Sequence, residues 1–483
     1  MKPIRVLSVA SEVYPLIKTG GLADVVGALP IALQGEGVET RTLVPGYPDV
    51  MRRLGAPALV LEWPIFFGGP TSLLSVSCGE LDMLVLDAPH LFARPGNPYV
   101  SSDGTDWPDN GLRFAALSRM AAIVGLGVVP SFVPDVVHTH DWQAGLTHAY
   151  LHYSQGPRPG RLMTVHNLAY QGRFPRDMLD AFGLPAEAFT LHGVEYYGEI
   201  GFLKAGLQFA DRITTVSPTY AVEIQTDEGG MGLGGLLRER ARDVRGILNG
   251  IDISVWDPAT DVDLPQNYDA NHLQDRTANK LALQQRLGLE RSPDAFLLGV
   301  ISRMSWQKGL DFLLDAIPTI LDAGMQLALL GAGDPDLQDS YLAIATAHSG
   351  RIGVVVGYDE ALAHLIQGGA DALVVPSRYE PCGLTQLCAL RYGAVPIVSR
   401  VGGLEDTVID EDQLGEERTT GFKFVPVTEN LSHALRRAHT KFQDKSAWRH
   451  IQENGMSTDV SWRDRARRYA DLYRELVDRR QSK

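Results

Sequence analysis

Cysteine is almost missing from this chain. Three are present in 483 residues, Cys78, Cys382 and Cys388. An odd, sparse set without a C-x-x-C pair excludes a disulfide framework and a zinc knuckle and favours a reducing compartment. Cytoplasmic placement is the expectation. Long apolar runs are missing as well. The uncharged, largely apolar stretch 120–134 has 15 residues and is broken by two glycines and two prolines, so it cannot span a bilayer. The apolar segment Ile4–Ala10 is interrupted by Arg5, too short for a secretory leader, and reads as a buried strand. Positive charge is scarce: 44 Lys and Arg face 58 Asp and Glu, a net charge of −14. Nucleic acids and anionic membranes would repel such a chain, so neither is expected as a partner. Any phosphate site must be built locally. Short-period repeats and low-complexity tracts are not found.

What is present is an alternation of short apolar, β-branched runs with helical stretches. Strands are expected at Ile4–Ser11, Val38–Val44, Met83–Asp87, Val136–His138, Leu162–Val165 and Arg212–Val216. In the second half they are expected at Phe296–Ser302, Gln326–Leu330, Gly353–Val356, Ala372–Pro376 and Pro396–Ser399. Near-continuous apolar runs mark strands covered on both faces, hence parallel sheets in α/β layers. Each half opens with a strand, a loop holding Lys and Gly, and a helix. The plan is two doubly wound domains, divided near Leu248-Asn249-Gly250. The boundaries expected are 1–250, 251–459 and a terminal helix over 460–483. That helix should start at a Ser461 cap with Asp464 in its first turn, and bury Trp462, Ala466, Tyr469, Tyr473 and Leu476. The glycine-rich run 227–235 should be a mobile loop.

Four stretches carry chemistry. Lys18-Thr19-Gly20-Gly21-Leu22-Ala23-Asp24 joins a strand to a helix, where backbone N–H groups and the helix N-terminus favour an anion. It matches neither a dinucleotide fingerprint nor a P-loop, and spacing alone slightly favours a plain turn with a solvated lysine. Ser302–Gly309 places Arg303 and Lys308 after a strand, where such folds bind ligands. The two cations suggest a diphosphate, with a solvated pair as the bland alternative. Glu380-Pro381-Cys382-Gly383-Leu384-Thr385 would open another helix, its glutamate able to hold sugar hydroxyls or merely to favour the helix dipole. His138-Thr139-His140-Asp141 and Val165-His166-Asn167 end two strands. Without a second ligand cluster they fit a sugar pocket better than a metal, and no metal is expected.

Together these residues carry a resemblance. The chain is similar, nearly end to end, to the bacterial glycogen synthases and the related plant starch synthases. The stretches that match are Lys18–Pro30, His138–Gly145, Thr164–Gly172, Phe202–Gly206, Thr215–Tyr220, Leu248–Asp252, Ser302–Gly309 and Pro376–Gln386. The resemblance implies the GT-B fold: two Rossmann-like domains facing across a cleft, and a C-terminal helix crossing back to the N-terminal domain. It implies transfer of glucose from ADP-glucose to an α-1,4-glucan such as glycogen, with retention and release of ADP. No cofactor is implied, ADP-glucose being a substrate. Arg303 and Lys308 would hold the phosphates, joined by Lys18, Gly21 and Thr385. Asp24 and Asn249 would lie on the nucleotide side, and Tyr358 would stack on adenine. Glu380 would bind the glucose near its 3-hydroxyl, His166 would lie beside the anomeric carbon, and Asp141 would line the acceptor side. Asn167, Cys382, Gly383 and Leu384 join the substrate-binding set. Related retaining enzymes carry a second Glu eight positions after the first; here that position is Cys388, so Glu380 is not half of a dyad. A front-face route, with the leaving phosphate assisting the acceptor hydroxyl, is the mechanism implied. The rival readings are a UDP-glucose transferase or an epimerase of the same fold, a non-catalytic glucan- or nucleotide-sugar-binding protein, and a metal hydrolase built on His138 and His140.

Overall fold

In the computed structural model residues 2–481 are described. The chain divides into two compact units. One holds the residues up to Asn249 together with those from Trp462 onward, and the other runs Gly250–Ser461.

The first unit is built on a nine-stranded sheet. Its strands are β1 (Ile4–Val9), β2 (Val38–Pro45), β3 (Ala58–Phe66), β4 (Gly69–Cys78), β5 (Leu81–Asp87), β6 (Val136–His140) and β7 (Gly160–Val165). A separate small sheet holds β8 (Arg173–Phe174), β9 (Glu195–Tyr196) and β10 (Glu199–Gly201), after which β11 (Arg212–Thr215) and β12 (Val244–Gly246) return to the large one. The order is β12-β11-β7-β6-β1-β2-β5-β4-β3. The strands from β12 to β5 pair in parallel, and β4 and β3 add as an antiparallel hairpin. Strand β1 shows why the sheet is covered on both sides. Successive side chains of a strand point to opposite faces. Leu7 and Val9 join one core layer with Phe114 and Leu117 of the helix Asn110–Gly125. Val6 joins another with Val25 and Leu29 of the helix Gly21–Gln34.

That second layer is completed by the last helix, Arg463–Gln481, whose Ala466, Tyr469, Tyr473 and Leu476 pack with Val6, Val136 and Leu162. Each such apolar side chain contributes roughly 1.5–3 kcal/mol when buried. Ahead of this helix, the Ser461 hydroxyl and N–H donate to Asp459 Oδ1 at 2.6 and 2.9 Å, and Ala466 N–H donates to the carbonyl of Trp462. The glycine run is a turn as far as Leu233: Gly230 donates to Thr226, Leu233 donates to Gly230, and a helix begins at Gly234. A Cβ on Gly230 or Gly234 would stand 2.5 or 2.4 Å from the Thr226 carbonyl oxygen, so these two glycines permit close backbone packing.

The second unit carries a six-stranded sheet of order β15-β14-β13-β16-β17-β18, parallel throughout. The strands are β13 (Leu297–Ile301), β14 (Gln326–Gly331), β15 (Ile352–Val356), β16 (Ala372–Val375), β17 (Val395–Ser399) and β18 (Phe422–Phe424). Both sheets reverse direction beside their first strand: after β1 the chain builds outward through β2 and then returns to β6, and after β13 it builds through β14 and returns to β16. Crevices at the carboxyl ends of such switch strands are where open α/β sheets bind ligands. The loops after β1, β6, β13 and β16 hold most of the residues singled out from the sequence.

Candidate functional site

In the second unit the loop after β13 and the loop after β16 are stitched together. Arg378 N–H donates to the carbonyl of Gln307 at 2.9 Å, and Gln307 Nε2 donates to the carbonyl of Tyr379. Gly309 is left-handed, with φ 63°, and a Cβ there would meet the Pro376 carbonyl oxygen at 2.0 Å. Only glycine lets the two loops approach so closely. The result brings two expected residues into contact: Lys308 Nζ lies 2.5 Å from Glu380 Oε2. Ser377 Oγ donates to the same oxygen at 2.9 Å. Arg303 is exposed on the loop after β13.

Thr385 begins the helix Thr385–Tyr392, with Leu384 at its N-cap and left-handed Gly383 (φ 71°) before it. Cys382 is buried. Tyr358 follows β15 on the surface, 78% exposed, with its hydroxyl bonded to Glu360.

In the first unit Gly21 opens the helix Gly21–Gln34, and Lys18 Nζ pairs with Asp24 Oδ1 at 2.9 Å. Two residues expected on the nucleotide side are thus in contact. After β6, Asp141 adopts a left-handed φ of 55°, uncommon for a residue with a Cβ. This turn aims its carboxylate at the end of β7, where Oδ1 accepts the His166 N–H at 2.7 Å. Burial raises the Asp141 carboxyl to about 7, against the lowering effect of the N–H groups of His166 and Asn167, and nearby Glu12 raises it further. Burial lowers His166 to about 3, so its ring is neutral at physiological pH. The Asn167 side chain accepts from Ala169 N–H at 3.1 Å. Asn249 is buried, with no hydrogen-bond partner on its Oδ1.

His138 and His140 are committed to internal bonds. His138 faces Tyr473 Oη at 2.8 Å and Thr164 Oγ1 at 2.6 Å. His140 bridges Ser8 Oγ at 3.2 Å and His166 Nε2 at 2.9 Å. Burial pushes both rings well below the usual histidine range. Elsewhere, Asp261, Asp263 and His364 gather their ligand atoms within 4.8 Å, but Asp261 Oδ2 already accepts from Tyr392 Oη and bonds His364 Nδ1.

Two residues of this constellation escaped the sequence reading besides Gly402: Glu12, which anchors the Lys18–Gly21 loop, and Ser377, which holds Glu380. His140 was singled out, but not its bond to His166. Gly402, with φ 42°, would drive a Cβ to 2.0 Å from the Glu380 carbonyl oxygen, and Gly403 N–H donates to that oxygen at 3.0 Å. The adjacent glycines at 402 and 403 were the available signal for the last.

Comparison with known proteins agrees with this arrangement. Residues 5–239 match the family described as starch synthase catalytic domain, and residues 295–440 match glycosyl transferases group 1. A protein of Bradyrhizobium diazoefficiens named glycogen synthase 2 is 66% identical over 483 residues, covering 100% of both chains. A glycogen synthase of Rhodopseudomonas palustris is 60% identical over 480 residues, 99% of this chain and 98% of its own. The catalytic domain of starch synthase IV from Arabidopsis thaliana, solved bound to ADP and acarbose, superposes with a TM-score of 0.90 at 32% identity, covering 99% of this chain and 100% of that one. Two α/β units with polar loops at their switch strands, matched in this way, define a glycosyltransferase of the GT-B class. Within that class the chain belongs to the glycogen and starch synthase family. No helix among the described residues is long and apolar enough to cross a membrane.

Proposed function

We propose that this chain transfers the glucosyl group of ADP-glucose to the non-reducing end of an α-1,4-glucan, with retention of configuration and release of ADP. The Lys308–Glu380 contact carries the reading. It puts a cation, able to meet a diphosphate, within 2.5 Å of a carboxylate able to accept sugar hydroxyls. A nucleotide sugar presents those two chemistries side by side. The starch synthase IV neighbour bound to ADP and acarbose supports the same pairing of nucleotide and glucan.

In this reading Lys308 and Arg303 meet the negative charge that builds on the departing diphosphate. Such contacts strengthen as the bond breaks and so lower the barrier. Lys18, Gly21 and Thr385 hold the phosphates, with Asp24 and Asn249 on the nucleotide side. Tyr358 stacks on the base. Glu380 orients the glucose, His166 lies beside its anomeric carbon, Asp141 lines the acceptor side, and Asn167, Cys382, Gly383 and Leu384 complete the lining. The bond from the anomeric carbon to the β-phosphate oxygen breaks, and a bond to the acceptor oxygen forms on the same face. The acceptor's proton passes to the leaving phosphate. The reaction needs no cofactor.

The test is a donor assay, one labelled sugar nucleotide at a time with glycogen as acceptor. Label entering glycogen from ADP-glucose, at full rate in excess chelator, is the expected result. Incorporation from UDP-glucose instead, or binding without turnover, would overturn the assignment.

A further inference from the structure

Behind the Lys18–Gly21 loop lies a carboxylate for which the reading above has no role. Glu12 follows the end of β1 and is 3% exposed. Its Oε2 accepts the backbone N–H of Thr19 and, at 3.3 Å, that of Gly20. Its Oε1 accepts Thr19 Oγ1 at 2.6 Å and Tyr99 Oη at 2.5 Å. Tyr99 Oη is bonded in turn to Ser11 Oγ at 2.7 Å. Four donors converge on one buried side chain, and three belong to two consecutive residues of an otherwise exposed loop.

This arrangement decides which way the loop faces. A glycine-containing turn before a helix has N–H groups to spare and several conformations in which to present them. Glu12 draws the N–H groups of Thr19 and Gly20 inward. On one side of these two residues stands exposed Lys18, paired with Asp24, and on the other the N-terminus of the helix Gly21–Gln34. Donors of this kind are strongest when they are held before the charge arrives.

We propose that Glu12 is the positioning residue of this loop, fixing Lys18 and the helix N-terminus for the donor's diphosphate without touching the substrate. The proposal rests on the reading that the Lys18–Gly21 loop meets those phosphates. What the loop takes from Glu12 is acceptor geometry. A glutamine can supply it: its oxygen takes the two backbone N–H groups, its amide donates to Thr19 Oγ1 and Tyr99 Oη, and the Tyr99 hydroxyl turns to Ser11.

Steady-state kinetics on the full-length enzyme, with ADP as a competitive inhibitor, test this. Glu12→Ala is expected to raise KM for ADP-glucose and Ki for ADP by about tenfold or more, the cost of losing charge-assisted hydrogen bonds, while KM for glycogen holds. Glu12→Gln should restore both donor constants to within about threefold, on the scale of a single neutral hydrogen bond. Thr19→Val and Tyr99→Phe, which each remove one of the bonds to Glu12, should move the donor constants in the same direction by smaller amounts, and they decide the matter if Glu12→Ala does not fold. Wild-type donor constants in Glu12→Ala, or in both milder variants, would overturn the proposal. So would a Glu12→Gln as impaired as Glu12→Ala, or an equal rise in KM for glycogen. Lys18→Ala separates the two levels. If its donor constants are unchanged, the reading of the loop fails. If they worsen while those of the Glu12 variants do not, only the role of Glu12 fails.

Discussion

Lys308 and Glu380 neutralise one another across 2.5 Å, their side chains 18% and 8% exposed. In the proposed reaction the cation meets a diphosphate and the carboxylate a sugar; here each keeps the other's charge from standing alone in a poorly hydrated place. Removing either leaves its partner uncompensated.

The first prediction follows from that pair. Lys308→Ala and Glu380→Gln should each lower turnover by about 10²–10³, the scale of a lost transition-state contact. The double variant should cost much less than the product of the two, because the groups act as a unit. Full additivity in a double-mutant cycle on kcat would show that they work independently.

The glycines beside the pair matter as much as the pair. Gly402→Ala would push a Cβ toward the Glu380 carbonyl oxygen, 2.0 Å away at a left-handed backbone. A displacement of the glutamate by about 1 Å should cost roughly 10²-fold in kcat, with the fold intact by circular dichroism. An alanine variant of normal rate would show that the approach is not needed.

Asp141 should leave a mark on the pH profile. Its carboxyl is raised to about 7 by burial, so it is protonated below that pH and ionised above. The unfolded chain gives up this proton near the usual carboxylate value, about 4. Stability from this group therefore falls as pH rises from about 4 to about 7, then levels off. Asp141→Asn keeps the acceptor for His166 N–H and should lack that decline. It should also lack the inflection near pH 7 expected in kcat/KM for the glucan. Profiles that superimpose would remove Asp141 from the titration.

Histidine burial works in the opposite direction. His148 is fully buried and is lowered to about 3, chiefly by desolvation. Between about pH 6.5 and pH 3 the unfolded chain holds a proton that the folded one does not, so stability drops as the solution is acidified. His148→Gln should flatten the dependence of unfolding free energy on pH by about 1.4 kcal/mol per pH unit near pH 5. Urea titrations at pH 4.5, 5 and 5.5 would measure it, and an unaltered slope would count against the buried neutral ring.

Much of the fold is legible in the sequence. Every expected strand is present, with ends shifted by no more than two residues, because near-continuous apolar runs such as Leu297–Val300 have no other use than burial on both faces. The hairpin β3–β4 was not legible. Leu59 and Ile65 stand exposed in it, so no continuous run marked it. The helix starting at Gly234 was not legible in the glycine run 227–235, because a glycine that allows close approach has the same letter as one that allows motion. The cations and Glu380 could be picked out because charge is scarce after buried strands. Glu12 and Ser377 could not, since each acts through a partner: Thr19 and Tyr99 for the one, Glu380 for the other. His140 was picked out, but its bond to His166 needed folding to bring the two strands together.

The last helix has a consequence for how the chain is made. The layer containing Val6, Val136 and Leu162 is finished only by residues of Arg463–Gln481, and the whole second unit is synthesised in between. At roughly 5–20 residues per second, the interval between Leu162 and Tyr473 is about 15–60 s. For that time a growing chain carries an apolar face that nothing of its own can cover, while the second unit has all its strands in hand. Maturation of the nascent protein should therefore run against chain order, the later-made unit closing first and the earlier one waiting for the tail.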